Sequence, residues 1–190
     1  MDTPSELYAR WFKIFAESAP APFLKHGYQT GEVSGMAASL ESILTFLSEV
    51  QPGDVILDAG AGASTWMFNH LAQDCRVISI DPDPAYLAVT ATVVRTFGAG
   101  DCEIQMEAGF PHCDYCFFDY GSALERAKLL PEVASVTRKA LYVDDYDHRE
   151  LSQDYRSKVD AFSQTYGYLL KYCPKALDSY GRAGAWIHLQ

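Results

Sequence analysis

The sequence predicts an α/β fold, a doubly wound open sheet of about seven strands with an antiparallel hairpin at its C-terminal end. Three observations carry that reading. Short β-favouring runs alternate with segments of helical periodicity from residue 54 onward. Several of those runs end in an aspartate: Asp58, Asp81, Asp119 and Asp144. Two further β-like runs, with no helix between them, close the chain. With 190 residues, 48% of them hydrophobic, the chain suffices for one sizeable domain, read as residues 1–190.

Each element has its own warrant. Leu7, Trp11, Ile14 and Phe15 recur at helical spacing and predict an amphipathic helix over 5–16. Residues 19–31 are loop-like, rich in Pro, Gly and small side chains. A second helix begins near Ser34 and carries Met36, Leu40, Ile43, Leu44 and Leu47 on one face, until Pro52-Gly53 ends it. The first strand, Val55-Ile56-Leu57, leads through a small-residue turn to a helix over 65–73. The second strand is Arg76–Ile80, and Pro82 and Pro84 stiffen the entry to a helix over 84–97. Glu103–Met106 is a short strand and Tyr115–Phe118 a buried one, followed by a helix over 122–136 and a strand over Ala140–Val143. Leu151, Tyr155, Val159, Phe162 and Tyr166 mark a long amphipathic helix, and Tyr168–Tyr172 and Ala183–Leu189 are the closing β pair. No internal repeat or low-complexity linker interrupts this order.

The stretch Asp54 to Trp66 organises the rest. An apolar strand runs into Asp58, then into the turn Ala59-Gly60-Ala61-Gly62-Ala63, and Ser64 and Thr65 can cap the next helix. A Cβ at Gly60 or Gly62 would block close backbone approach by a ligand. Strand, glycine turn and helix start make a nucleotide-type cradle with amide N–H groups facing the ligand. The dinucleotide fingerprint wants a third glycine where Thr65 stands, and Asp58 would repel a pyrophosphate, so NAD is disfavoured. The same carboxylate attracts the ammonium and sulfonium of S-adenosylmethionine. The stretch resembles the first motif of the class I S-adenosylmethionine-dependent methyltransferases, acidic-x-Gly-x-Gly-x-Gly, with Ser64 in place of the last glycine. That resemblance implies a Rossmann-like core over 51–190, with the N-terminal helices of 1–50 covering the cofactor.

Further cofactor contacts follow. Asp81 lies 23 residues after Asp58, about the interval of a strand–helix–strand unit, and offers two oxygens to two ribose hydroxyls. Pro82 follows it; an ordinary turn is the plain alternative. By the resemblance, Asp58, Gly60, Ala61, Gly62 and Ser64 hold the amino-acid end, and Ala108 and Gly109 touch adenine. Thr30, Gly31, Ser34 and Gly35 would fold over the cofactor, unless they form only a capped turn. Trp66 and the tyrosines are candidates for an aromatic pocket, with core packing the commoner use.

Strand carboxyl ends share one edge of such a sheet, where ligands bind. If strands four and five are neighbours, Asp119 approaches Asp144 and Asp145, and three converging carboxylates repel unless a cation joins them. Oxygen donors suit Mg²⁺, Mn²⁺ or Ca²⁺. Phe117-Phe118-Asp119-Tyr120 and Tyr142-Val143-Asp144-Asp145 resemble the two strand ends that hold Mg²⁺ in the catechol O-methyltransferase group. That resemblance implies Asp119, Asp144 and Asp145 as metal ligands, with Asp119 also at the reacting edge. A lysine base usual three residues after the first aspartate is replaced here by Ser122, so His148 is the candidate base. A group of small bacterial and viral-type methyltransferases has a similar Asp-Asp-Tyr, which leaves a metal-free acidic acceptor pocket as the alternative.

The expected activity is methyl transfer to a small-molecule acceptor, at oxygen and with metal help. The rivals are a metal-free enzyme acting on nitrogen or a protein side chain, and a cofactor-binding protein without transfer activity. The net charge of -10 disfavours a nucleic-acid partner. No run of about 20 apolar residues suggests a membrane span, and residues 1–4 do not open a signal peptide. Five cysteines without framework spacing suggest reduced thiols and a cytoplasmic setting. Cys113-x-x-Cys116 beside His112 lacks the second pair a structural zinc needs, so both read as buried thiols. The N-terminal helix can pack on its own domain or on a partner's, which leaves a homodimer open.

Overall fold

The computed structural model describes residues 2–18, 38–100, 103–105, 109–147, 152–177 and 181–189. In chain order the elements are α1 (Pro4–Ser18), α2 (Leu40–Leu47), β1 (Val55–Ala59), α3 (Ala63–Leu71), β2 (Arg76–Ile80) and α4 (Pro84–Phe97). They continue with β3 (Glu103–Ile104), β4 (Cys113–Phe118), α5 (Ala123–Val136), β5 (Thr137–Val143), α6 (Ser152–Tyr166), β6 (Leu169–Tyr172) and β7 (Ala185–His188). The strands form one seven-stranded sheet in the order β3-β2-β1-β4-β5-β7-β6. β1 to β5 run parallel, and β7 is antiparallel to both β5 and β6. The expected hairpin is present, with its second strand inserted against β5.

Strand periodicity of two divides the core between the faces. Ile56, Phe117, Tyr142 and Trp186 point to one side with Trp11, Phe46 and Trp66 of α1, α2 and α3. Leu57, Phe118, Leu141 and Ile187 point to the other, against Leu130 and Val133 of α5 and Tyr155 and Val159 of α6. Covering both faces explains why the central strands read as continuous apolar runs. Helix α1 packs on its own chain: Leu7, Trp11 and Phe15 are buried, and Trp66 Nε1 donates to the Leu7 carbonyl at 2.9 Å.

Most boundaries fall within a few residues of those expected. α4 starts as its sequence signals, since Asp83 caps it by accepting from the Ala85 and Tyr86 N–H groups ahead of Pro84. β5 begins three residues earlier than expected because Arg138 and Lys139 look like loop residues. Each instead reaches a partner at the foot of the sheet, Arg138 to Asp114 at 2.7 Å and Lys139 to Asp54 at 2.5 Å. Cys113 and Cys116 are buried free thiols, with burial raising the Cys113 thiol to about 11 and the Cys116 thiol well above its ordinary value. No helix among the described residues is long and apolar enough to cross a membrane.

Candidate active site

The glycine turn after β1 is held from below. Thr65 Oγ1 donates to Asp58 Oδ2 at 2.5 Å and accepts from the Gly62 N–H at 2.9 Å. Ser79 Oγ of β2 donates to the same Asp58 oxygen at 3.1 Å. Asp58 is fully buried, and its Oδ1 has no hydrogen-bond partner among the described residues. Burial raises its carboxyl to about 7 against the hydrogen bonds from Thr65 and Ser79. Asp58 is therefore first an anchor of the turn, and only its second oxygen is left for a ligand cation.

Both glycines adopt positive φ, 114° at Gly60 and 159° at Gly62. The neighbours their missing Cβ atoms spare belong to the protein itself. At Gly60 it is the backbone carbonyl of Asp119, so this glycine lets β4 close against the turn. At Gly62 it is the Tyr86 hydroxyl, 2.8 Å from where a Cβ would sit. The Gly60 and Ala61 N–H groups both donate to Ile80 O, at 3.0 and 3.1 Å, which ties the turn to the end of β2. Asp81 consequently stands beside the turn, as its spacing implied. It accepts from the Asp83 N–H at 2.8 Å, and burial raises its carboxyl to about 6. Pro82 is exposed, Ser64 is buried with its hydroxyl on Gly60 O, and Gly109 is exposed. Phe110 and Tyr120 meet edge to face at 5.4 Å, and burial and then the Asp81 charge raise the Tyr120 hydroxyl. Trp66 is wholly buried in the core.

The β4 and β5 ends bring the carboxylates together. Asp119 N–H donates to Ala59 O at 2.7 Å and Asp144 N–H to Phe118 O at 3.1 Å, so consecutive strand ends lie side by side. Asp145 alone among the described non-glycine residues has positive φ, 55°, a conformation an aspartate tolerates better than most. Oxygens of Asp119, Asp144 and Asp145 lie within 4.8 Å of one another.

A cation already stands among them. Arg126, buried on α5, places Nη1 3.0 Å from Asp119 Oδ1 and Nη2 3.1 Å from Asp145 Oδ2, and Nη1 also donates to Asp144 O. Its guanidinium lies over the Tyr155 ring at 5.5 Å. Burial raises Asp119 and Asp144 well above the usual carboxylate range; Asp144 and Asp145 repel Asp119, while Arg126 and Arg182 oppose the rise. Arg126 occupies the buried stripe of α5 with Leu130 and Val133. A charge at that helical spacing was the available signal for it, and composition-based reading passed over it. The donor set still fits a divalent cation: Asp145 Oδ1 has no partner among the described residues, and Arg126 uses one oxygen each of Asp119 and Asp145. His148, Ala108 and the Thr30, Gly31, Ser34 and Gly35 segment lie outside the described residues.

Comparison with solved structures gives the fold its class. The magnesium protoporphyrin IX methyltransferase of Synechocystis PCC 6803, with bound S-adenosylmethionine, superposes with a TM-score of 0.65 at 10% identity, covering 96% of this chain and 97% of that one. The precorrin-6y C5,15-methyltransferase of Geobacter metallireducens GS-15 gives 0.64 at 17% identity, covering 82% and 91%. The 16S rRNA N2 G1207 methyltransferase of T. thermophilus, in complex with S-adenosylmethionine and guanosine, gives 0.60 at 16%, covering 85% and 44%. No protein-family model matches the sequence, and no curated protein sequence does. The chain has the class I methyltransferase fold.

Proposed function

We propose that the protein is an S-adenosylmethionine-dependent methyltransferase that modifies a small-molecule acceptor, at oxygen and with a divalent cation. The observation that carries the reading is the buried, unpartnered Asp58 Oδ1 beneath the glycine turn, beside Asp81 at the next strand end. The bound cofactor supplies an electrophilic methyl on a sulfonium. Asp58 and the 60–64 turn hold its amino-acid end, Asp81 its ribose hydroxyls, and Pro82, Ala108 and Gly109 flank its adenine. Neighbours of the same fold that hold S-adenosylmethionine support this assignment.

Asp119, Asp144 and Asp145 form the acceptor end, in likeness to the catechol O-methyltransferase group. A divalent cation held there supplies the field that lowers the pKa of an acceptor hydroxyl. The chain's own residues orient the acceptor and exclude water, and His148 is the proposed base. The net charge of -10 favours a small acceptor over RNA, although the structural neighbours include rRNA methylases.

Arg126 favours a second, metal-free reading, in which the guanidinium supplies the charge compensation and the acidic pocket takes an amine or hydroxyl directly. Calorimetric titration of S-adenosylmethionine, with Mg²⁺ and then with EDTA, separates these readings. Micromolar binding that Asp81→Ala abolishes supports the cofactor assignment, and no binding in either condition overturns it. A Mg²⁺ signal lost in Asp144→Ala supports the metal; turnover indifferent to chelator supports the metal-free reading. Tight cofactor binding without transfer to a panel of catechols, phenols and amines would point to a protein that binds but does not catalyse.

A further inference from the structure

Tyr86 stands on the third residue of α4, and its hydroxyl lies over Gly62 where a side chain would otherwise project, 2.8 Å from that position. The sequence places a ligand's approach at this glycine, and the structure places a phenolic donor there. The ring is half-buried and packed at 5.4 Å on Phe15 of α1, which is itself fully buried against Trp11. Phe15 and Trp11 thus set the direction of the Tyr86 hydroxyl, since a packed aromatic ring has few rotamers left. The N–H groups that start α4 add a positive field on the same side, although Asp83 engages two of them.

We propose that Tyr86 is a specificity-determining residue for the cofactor, its hydroxyl donating to the carboxylate of the amino-acid end. This rests on the S-adenosylmethionine reading above. The two ends of that zwitterion then meet different groups: Asp58 Oδ1 takes the ammonium, and the Tyr86 hydroxyl takes the carboxylate. A hydrogen bond to a charged group is among the stronger kinds, so its loss is measurable.

The test is calorimetry on wild type and Tyr86→Phe with three probes: S-adenosylmethionine, its decarboxylated form, and 5′-methylthioadenosine, which lacks the amino-acid end. Tyr86→Phe keeps the ring on Phe15, and an unchanged melting temperature verifies the fold. The expected result is about tenfold weaker binding of S-adenosylmethionine, with the other two probes within about twofold of wild type. Equal weakening of all three, or no weakening of any, overturns the proposal and leaves the cofactor reading standing. If wild type binds none of the three, the cofactor reading fails and this inference fails with it.

Discussion

Thr65 shows how much one side chain can organise. It joins the Gly62 N–H to Asp58 within a site that has no exposure to water, so the Gly62 N–H has no substitute partner and Asp58 Oδ2 keeps only Ser79. Thr65→Val keeps the shape and leaves a buried donor and a buried carboxylate oxygen short of a partner. It should cost about 1–3 kcal/mol in urea unfolding, with most of that regained in Thr65→Ser. Asp58 makes a second prediction. Its folded carboxyl titrates at about 7, above the usual carboxylate value, because of burial. Below the ordinary value both folded and unfolded chains hold the proton. As pH rises the unfolded chain loses it first, so this residue's contribution drives stability down until about pH 7 and is flat above. Asp58→Asn should therefore flatten the fall of the urea midpoint between pH 5 and 7 and leave the protein no less stable at pH 8, while weakening cofactor binding.

At the scale of the element, α5 does two tasks with one stripe. Leu130 and Val133 fill the core, and Arg126 delivers a cation to the ends of β4 and β5. Arg126→Met preserves the apolar packing and removes the charge, leaving the converging carboxylates without their nearest counter-ion. It should destabilise the fold by about 3–5 kcal/mol at pH 7.5. The loss should shrink at pH 5.5, where Asp144, whose carboxyl burial raises to about 7, holds a proton instead. Urea unfolding at the two pH values checks it; an equal loss at both would assign Arg126 a packing role alone.

In the molecule as a whole, β7 locks the sheet's edge to the N-terminal layer. Trp186 is buried, stacked on Phe46 of α2 at 5.5 Å and set edge-on to Tyr142 of β5 at 5.2 Å. Gly184 before it lies where any Cβ would enter the Tyr142 ring, so the chain can pass only as glycine. Trp186→Ala should cost about 3–5 kcal/mol in guanidinium unfolding. Because the C-terminal strand, α2 and β5 meet in this one cluster, the loss should appear as a single transition.

Local chemistry determined the order of elements, the glycine turn and the aspartates at the strand ends. Alternation of period two, helical spacing and turn residues act over a few positions and are written in the chain. The edge at which Asp58, Asp81, Asp119 and Asp144 gather was legible too, because parallel strands direct their carboxyl ends one way. Contacts between residues distant in sequence left no such mark. Thr65 and Tyr86 look like an ordinary helix start and an ordinary aromatic, and Arg126 is one charge in an amphipathic helix. Gly60 proved to make room for the Asp119 backbone, a neighbour 59 positions along the chain. Only the packing of β4, α4 and α5 around the turn decided which atoms are satisfied and which oxygen is left over, since burial and partnership belong to the folded surface and to no single segment.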